Sequence, residues 1–299
     1  MRQISNARLL ADSRNIVGES PLWHPEEGSI YWTDVNGFTI QRYVLRSGEK
    51  ATWWFGEPVC ALSLTTDPAL LLVALGSRVI VWRPSTDERT DFASPEPKWP
   101  NNRLNDGATD ANGVFWVGSM RNNVGPDGQD VEVSGNCGSL YRVMPDGHVS
   151  AWDTGFGIVN TLAWSPDRST FYCGCSRGNI IYAYDYHAAN SSISNRRTFV
   201  AGIEPGLPDG SAMDEEGYLW NCRFFGACIL RFSPSGKLDR VVEMPVSNVT
   251  NCAFGGPSLD RLFVTTASLF ARDGEDYGGG LFEIPVKVRG LPTERFRLF

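Results

Sequence analysis

Apolar residues along this chain come in short runs rather than at helical spacing. A turn residue or acid leads into a few apolar residues, then a Pro/Asp/Gly turn, then an aromatic and β-branched run. The pattern returns six times: Glu19-Ser-Pro-Leu-Trp…Ile30-Tyr-Trp-Thr-Asp34, Cys60-Ala-Leu-Ser-Leu…Leu70-Leu-Leu-Val-Ala74, Asp106-Gly-Ala-Thr-Asp…Val114-Phe-Trp-Val-Gly118, Asn160-Thr-Leu-Ala-Trp…Thr170-Phe-Tyr-Cys-Gly174, Asp209-Gly-Ser-Ala-Met…Tyr218-Leu-Trp-Asn-Cys222 and Thr250-Asn-Cys-Ala-Phe…Arg261-Leu-Phe-Val-Thr265. The leading positions 19, 60, 106, 160, 209 and 250 are spaced by 41, 46, 54, 49 and 41 residues. After each aromatic run a second strand is predicted (Thr39–Leu45, Val79–Arg83, Ser139–Met144, Ile180–Tyr186, Cys228–Ser233, Gly280–Pro285), and often a third (Ala51–Phe55, Val149–Asp153, Thr198–Ala201, Leu238–Glu243). Four strands per unit, repeated six times, predict an all-β, six-bladed β-propeller of four-stranded antiparallel blades around a central channel. Ala7–Ala11 is expected to supply the N-terminal strand that closes the last blade. No unit can bury its apolar faces alone, so residues 1–299 are expected to form one domain.

Composition narrows the class of partner. Net charge is -7, with no Lys/Arg cluster, which argues against nucleic acid. No apolar run approaches the roughly 18 residues of a membrane span. The first eight residues lack the apolar stretch of a secretory leader. Seven scattered Cys without a CxxC pair read as reduced core residues, and a cytoplasmic location is expected. Residues 121–137 interrupt the third unit with a polar, turn-rich insertion, either a lid or an inert surface hairpin.

In a propeller the innermost strands run along the channel, so their leading ends meet at one mouth. Here those ends are Glu19, Cys60, Asp106, Asn160, Asp209 and Thr250. Three carboxylates packed together would suffer desolvation and mutual repulsion unless a counter-charge is present. A divalent cation is the simplest remedy, and carboxylate, carboxamide and water suit a hard ion such as Ca²⁺, Mg²⁺ or Mn²⁺. Asp-Gly and Asn are also ordinary turn formers, and only their recurrence in register favours a site. Cys60 and Thr250 read as small filler. His24, His148 and His187 lack zinc spacing and are expected at the surface.

Gly18-Glu-Ser-Pro-Leu-Trp, Arg103-Leu-Asn-Asp-Gly107, Gly157-Ile-Val-Asn160, Trp164-Ser-Pro-Asp167, Gly206-Leu-Pro-Asp-Gly210 and Asp214-Glu-Glu-Gly-Tyr-Leu-Trp220 together resemble the SMP-30/gluconolactonase/regucalcin family, in order from about Gly18 to Phe282. The resemblance implies a six-bladed propeller with one divalent metal held by Glu19, Asn160 and Asp209. It implies substrate binding by Arg103, Asn105 and Asp106, so Asp106 would stand near the metal without ligating it. It also implies hydrolysis of sugar lactones, with Asp209 as general base for water. The metal stays open among Ca²⁺, Mg²⁺, Mn²⁺, Zn²⁺ and Fe²⁺. Some relatives carry a Glu where the count from Gly138-Ser-Leu-Tyr141 places Ser134, with Glu132 nearby but out of register. No Gly-x-Ser-x-Gly elbow or Cys–His pair points to a covalent route. A non-catalytic cation-binding or interaction propeller, and a metal-dependent aryl-ester or phosphotriester hydrolase, are the other classes in view.

Overall fold

A computed structural model describes residues 2–4, 6–132 and 134–298, with side chains from residue 6 onward. Its strands form six sheets arranged in a ring, a six-bladed β-propeller. The inner strands are Gly18–His24, Val59–Thr65, Asn102–Thr109, Val159–Trp164, Leu207–Met213 and Val249–Gly255. Each packs against the inner strands of both neighbours, which closes the ring.

The Asp-x-x-Gly turns of the repeat have a specific job. In Asp110-Ala-Asn-Gly113, Asp110 Oδ1 accepts from the amides of Asn112 and Val114, while Oδ2 accepts from the Trp116 indole at 2.9 Å. Asp214 does the same for Glu216, Tyr218 and Trp220. The turn acid thus satisfies the turn backbone and the one polar atom of the aromatic run, which lets Trp116 and Trp220 bury completely between blades. Burial of side chains this large contributes about 3 kcal/mol each.

Ring closure occurs as the sequence predicts. Arg8–Ala11 pairs antiparallel with Leu281–Pro285 as the outer strand of the sixth blade. The second blade also has an outer strand, Glu88–Ala93, which the charged sequence Glu-Arg-Thr-Asp does not announce. Two short pairings lie outside the repeat. Arg2–Ile4 runs parallel to the outer strand of blade five, and Arg295–Phe296 runs parallel to Leu64–Thr65. The second is notable because Leu64–Thr65 is the far end of an inner strand. The C-terminal tail therefore crosses the channel end opposite the mouth, with Phe296 fully buried.

Two expectations fail. His24 is buried, not at the surface: its Nε2 lies 3.0 Å from the Pro68 carbonyl, beneath the turn of blade two. Cys137 is only half-buried, its thiol donating to Asn102 Oδ1 at 3.2 Å, whereas the other six cysteines are in the core; all seven are free. No helix among the described residues is long and apolar enough to cross a membrane.

Candidate active site

All six inner strands carry a β-bulge where the repeat begins. A bulge inserts one residue against the partner strand and re-aims the side chains beside it. In blades one, three, four and five, three steps on the inner strand oppose two on its neighbour: Glu19 to Leu22, Leu104 to Gly107, Asn160 to Ala163 and Pro208 to Ser211. In blades two and six, two steps oppose one, from Val59 to Ala61 and from Val249 to Asn251. The six leading residues are therefore not strictly equivalent. Glu19 and Asn160 are the last paired residues before the bulge, while Asn105, Asp106 and Asp209 lie within it.

The bulges free backbone groups, and hydroxyls of the neighbouring blade take them up. Ser20 Oγ accepts from Leu62 N at 2.8 Å, Thr161 Oγ1 donates to the Asp209 carbonyl, and Thr250 Oγ1 donates to the Gly18 carbonyl. Ser20 and Thr161 follow Glu19 and Asn160 directly, and both adopt left-handed backbone, φ 46° and 55°. That conformation is costly for any residue but glycine and marks a local constraint.

The side chains so aimed converge. Arg103 Nη1 donates to Asn105 Oδ1 at 2.7 Å, Asn105 Nδ2 donates to Asn160 Oδ1 at 3.1 Å, and Asn160 Nδ2 donates to Ser176 Oγ at 2.8 Å. Glu19 Oε2 accepts from Asn251 Nδ2 and from the Ser20 amide, both at 2.9 Å. Glu19, Asn160 and Asp209 are all buried. Burial and the nearby Asp106 raise the Glu19 carboxyl to about 7. Burial, then Glu19, then Asp106, push Asp209 well above the ordinary carboxylate range. Asp106 is raised to about 6 by burial, against amides of Gly107, Leu162 and Thr161 that stabilise its charge. It borders a channel cavity of about 460 Å³ whose far wall is Pro292–Glu294 of the tail.

This donor set fits a cation. Among the described residues no three His, Cys, Asp or Glu side chains form a metal cluster. The trio here is two carboxylates and a carboxamide. Two buried carboxylates that raise one another's proton affinity are the electrostatic conflict a divalent ion would relieve, and all-oxygen donors suit a hard one.

The insertion 121–137 is not an inert hairpin. Asn123 Oδ1 accepts from Arg103 Nε at 2.9 Å. Val124 is buried with Val35, Phe38 and Cys60, and Asn36 Nδ2 donates to the Gly128 carbonyl. The insertion thus docks on blade one and fixes the Arg103 guanidinium. Glu132 and Ser134 are exposed on it.

Several supporting residues escaped sequence reasoning. Asn221 Nδ2 donates to the Asp209 carbonyl at 3.1 Å. Arg223, 1% exposed, donates to Asn221 Oδ1, Asn179 Oδ1 and the carbonyls of Ile203, Pro205 and Gly206, tying the loop ahead of Asp209. Burial lowers its guanidinium to about 10. Asn248 bridges two rim loops, accepting from Phe225 N and donating to the Leu269 carbonyl, so that the exposed Phe225 and Phe270 rings stand 6.1 Å apart. Asn221 stands in the repeated run Tyr218–Cys222, where the other units carry Thr33, Val73, Val117, Cys173 and Val264, while Arg223 and Asn248 lie just outside the repeated segments.

Residues 17–268 match the SMP-30/Gluconolactonase/LRE-like region. The chain belongs to this family. It is 31% identical to pentonolactonase XacC of Haloferax volcanii over 96% of both chains. It is 30% identical to L-arabinolactonase of Azospirillum brasilense, over 99% of this chain and 98% of that one. The crystal structure of a calcium-binding protein, regucalcin from Agrobacterium tumefaciens, superposes with a TM-score of 0.92 at 26% identity, covering 100% of this chain and 99% of that one.

Proposed function

We propose that this family member hydrolyses sugar lactones to aldonic acids. The observation that carries the reading is the chain Arg103–Asn105–Asn160 set against the buried carboxylates Glu19 and Asp209. Two relatives named as lactonases support the reaction class.

Glu19, Asn160 and Asp209 would hold one divalent cation, Ca²⁺, Mg²⁺, Mn²⁺, Zn²⁺ or Fe²⁺. When bound, such an ion supplies electrophilic polarisation of a carbonyl and lowers the proton affinity of water. Arg103 and Asn105 orient the lactone by hydrogen bonds to its ring oxygens, with Arg103 held by Asn123 of the insertion. A carboxylate oxygen of Asp209 takes a proton from water as the water oxygen attacks the lactone carbonyl carbon. The ring C–O bond then breaks, the proton passes to the departing ring oxygen, and the open acid leaves as an aldonate. Asp106, on the channel side, completes the polar floor. The seven free thiols fit a reducing cytoplasm, and the closed ring fits one domain over residues 1–299.

The test is a pH-indicator assay on a panel of aldonolactones, with phenyl acetate and a phosphotriester for comparison, with and without chelator. Aldonolactones should be turned over fastest, and chelation should abolish activity that added cation restores. Asp209→Ala or Asn160→Ala should lower kcat/KM at least a thousandfold, about 4 kcal/mol. Near-normal turnover by both variants would overturn the reading.

A further inference from the structure

The propeller face opposite the mouth carries a second cavity, of about 620 Å³. It lies where blades one and six meet the C-terminal tail. Its walls are largely apolar, formed by Trp23, Leu45, Leu64, Leu259 and Pro292. Its polar lining is unusual for a chain of net charge -7, because three arginines reach it, Arg46, Arg261 and Arg295, and no acid lines it. The three come from separate elements: the outer turn of blade one, the second strand of blade six and the tail.

Each guanidinium has donors to spare. Arg261 is held by Glu283 through Nη1 alone, at 3.1 Å, and Glu283 is shared with Arg8. Arg295 gives Nη2 to Glu26 and Nη1 to the Thr65 carbonyl at 3.1 Å, fixing its position from outside the cavity. Arg46 has no ion pair among the described residues. A guanidinium offers five N–H donors, so each of the three keeps donors beyond these contacts.

We propose that this cavity binds a small organic phosphate, its anionic oxygens on the three guanidiniums and its apolar body on the Trp23 and leucine wall. Phosphate is favoured because its oxygens point in different directions and can meet donors arriving from separate elements, as these three arginines arrive, whereas a carboxylate is planar and best met by one fork. The site is independent of the proposed lactonase reading, since none of its residues belongs to the mouth.

The experiment is calorimetric titration of the full chain with phenyl phosphate at low ionic strength, with phenol and benzoate as comparators. Phenyl phosphate should bind with a sub-millimolar Kd, benzoate at least tenfold more weakly, and phenol not at all. Arg46→Met and Arg261→Met should each weaken phenyl phosphate at least tenfold while leaving the far-ultraviolet dichroism and lactone turnover unchanged. Asp209→Ala should bind phenyl phosphate as the parent does. Absence of binding, benzoate binding as tightly as phenyl phosphate, or binding that survives both arginine substitutions but is lost in Asp209→Ala would overturn the proposal.

Discussion

Blades one, three, four and five differ from blades two and six at one register of the inner strand. The first group opens a three-against-two bulge there, and it places Glu19, Asn105, Asp106, Asn160 and Asp209 around the mouth. The second opens a two-against-one bulge that places Cys60 and Thr250. Both groups share the ring position, the burial and the Asp/Gly-rich turns. In wide blade one the residue at the mouth is an acid, Glu19, and the next, Ser20, accepts from Leu62 N of the neighbouring blade. In blade six, too, successive residues take different partners, Thr250 on the Gly18 carbonyl and Asn251 on the Glu19 carboxylate, but neither is a carboxylate or a candidate ligand. The candidate ligands and substrate-binding residues thus all fall in the wide-bulge blades, while the narrow blades supply supports such as Asn251, which donates to Glu19.

The largest expected effect on stability follows from the wide-bulge carboxylates. In the chelated protein Glu19 keeps its proton up to about pH 7, against an ordinary value of 4.5. The folded state then binds more protons at Glu19 than the unfolded state between those values, so Glu19's contribution to stability is fullest below about pH 4.5 and is lost as pH rises through 7. Glu19's share of that loss is about 3 kcal/mol, and Asp209 and Asp106 act in the same direction. Denaturant melts in chelator should show a falling midpoint from pH 5 to 8, flattened in Glu19→Gln and abolished by excess divalent cation. Cys60→Ser, in a narrow blade, should leave the slope unchanged. A flat parental profile would mean that the wide bulges do not bring their carboxylates into a shared desolvated space.

A smaller effect is expected in the narrow blades themselves. Thr250→Val removes the donor to the buried Gly18 carbonyl and to Thr265 Oγ1. Leaving those acceptors unpaired should cost about 1–2 kcal/mol, read as a lower melting midpoint. Lactone turnover should fall by no more than several-fold, because the residue braces blade one without touching the mouth trio. A loss comparable with that expected for Asp209→Ala would erase the distinction between the two groups of blades.

Much of this was legible from the chain. The strand count followed from the recurrence of aromatic runs and turns, because short apolar runs and the turns that end them are local signals. Glu19, Asp106, Asn160 and Asp209 are the acids and the carboxamide at the leading position of the repeat, whereas the choice of Glu19, Asn160 and Asp209 as a ligand set comes from the family resemblance. The bulges were not legible, since an extra residue shows only against a partner strand. Neither were the supports. Asn221, Asn251 and Arg223 lie inside strands of the repeat, and what singles them out is a partner 12 to 232 residues away. Arg103 and Asn105 were found only through family resemblance, as nothing in their spacing says that Asn105 reaches Asn160 across 55 positions.

The finest test of the bulge argument is at Ser20, which joins a wide blade to a narrow one. Its hydroxyl accepts from Leu62 N, inside the second blade, while its backbone sits at φ 46°. Ser20→Ala keeps the left-handed strain and loses the bond, leaving a buried amide without its acceptor, at about 1 kcal/mol or more. Ser20→Gly loses the same bond but relieves strain of about 1 kcal/mol, since glycine enters this region freely. In an ordinary strand glycine is the worse substitution; here the alanine variant should melt lower than the glycine variant, by a few degrees at most. Turnover should change little in either, because the Ser20 amide still donates to Glu19. The opposite order of melting would show that residue 20 is not held in the bulge conformation, and with it would go the account of how Glu19 is aimed.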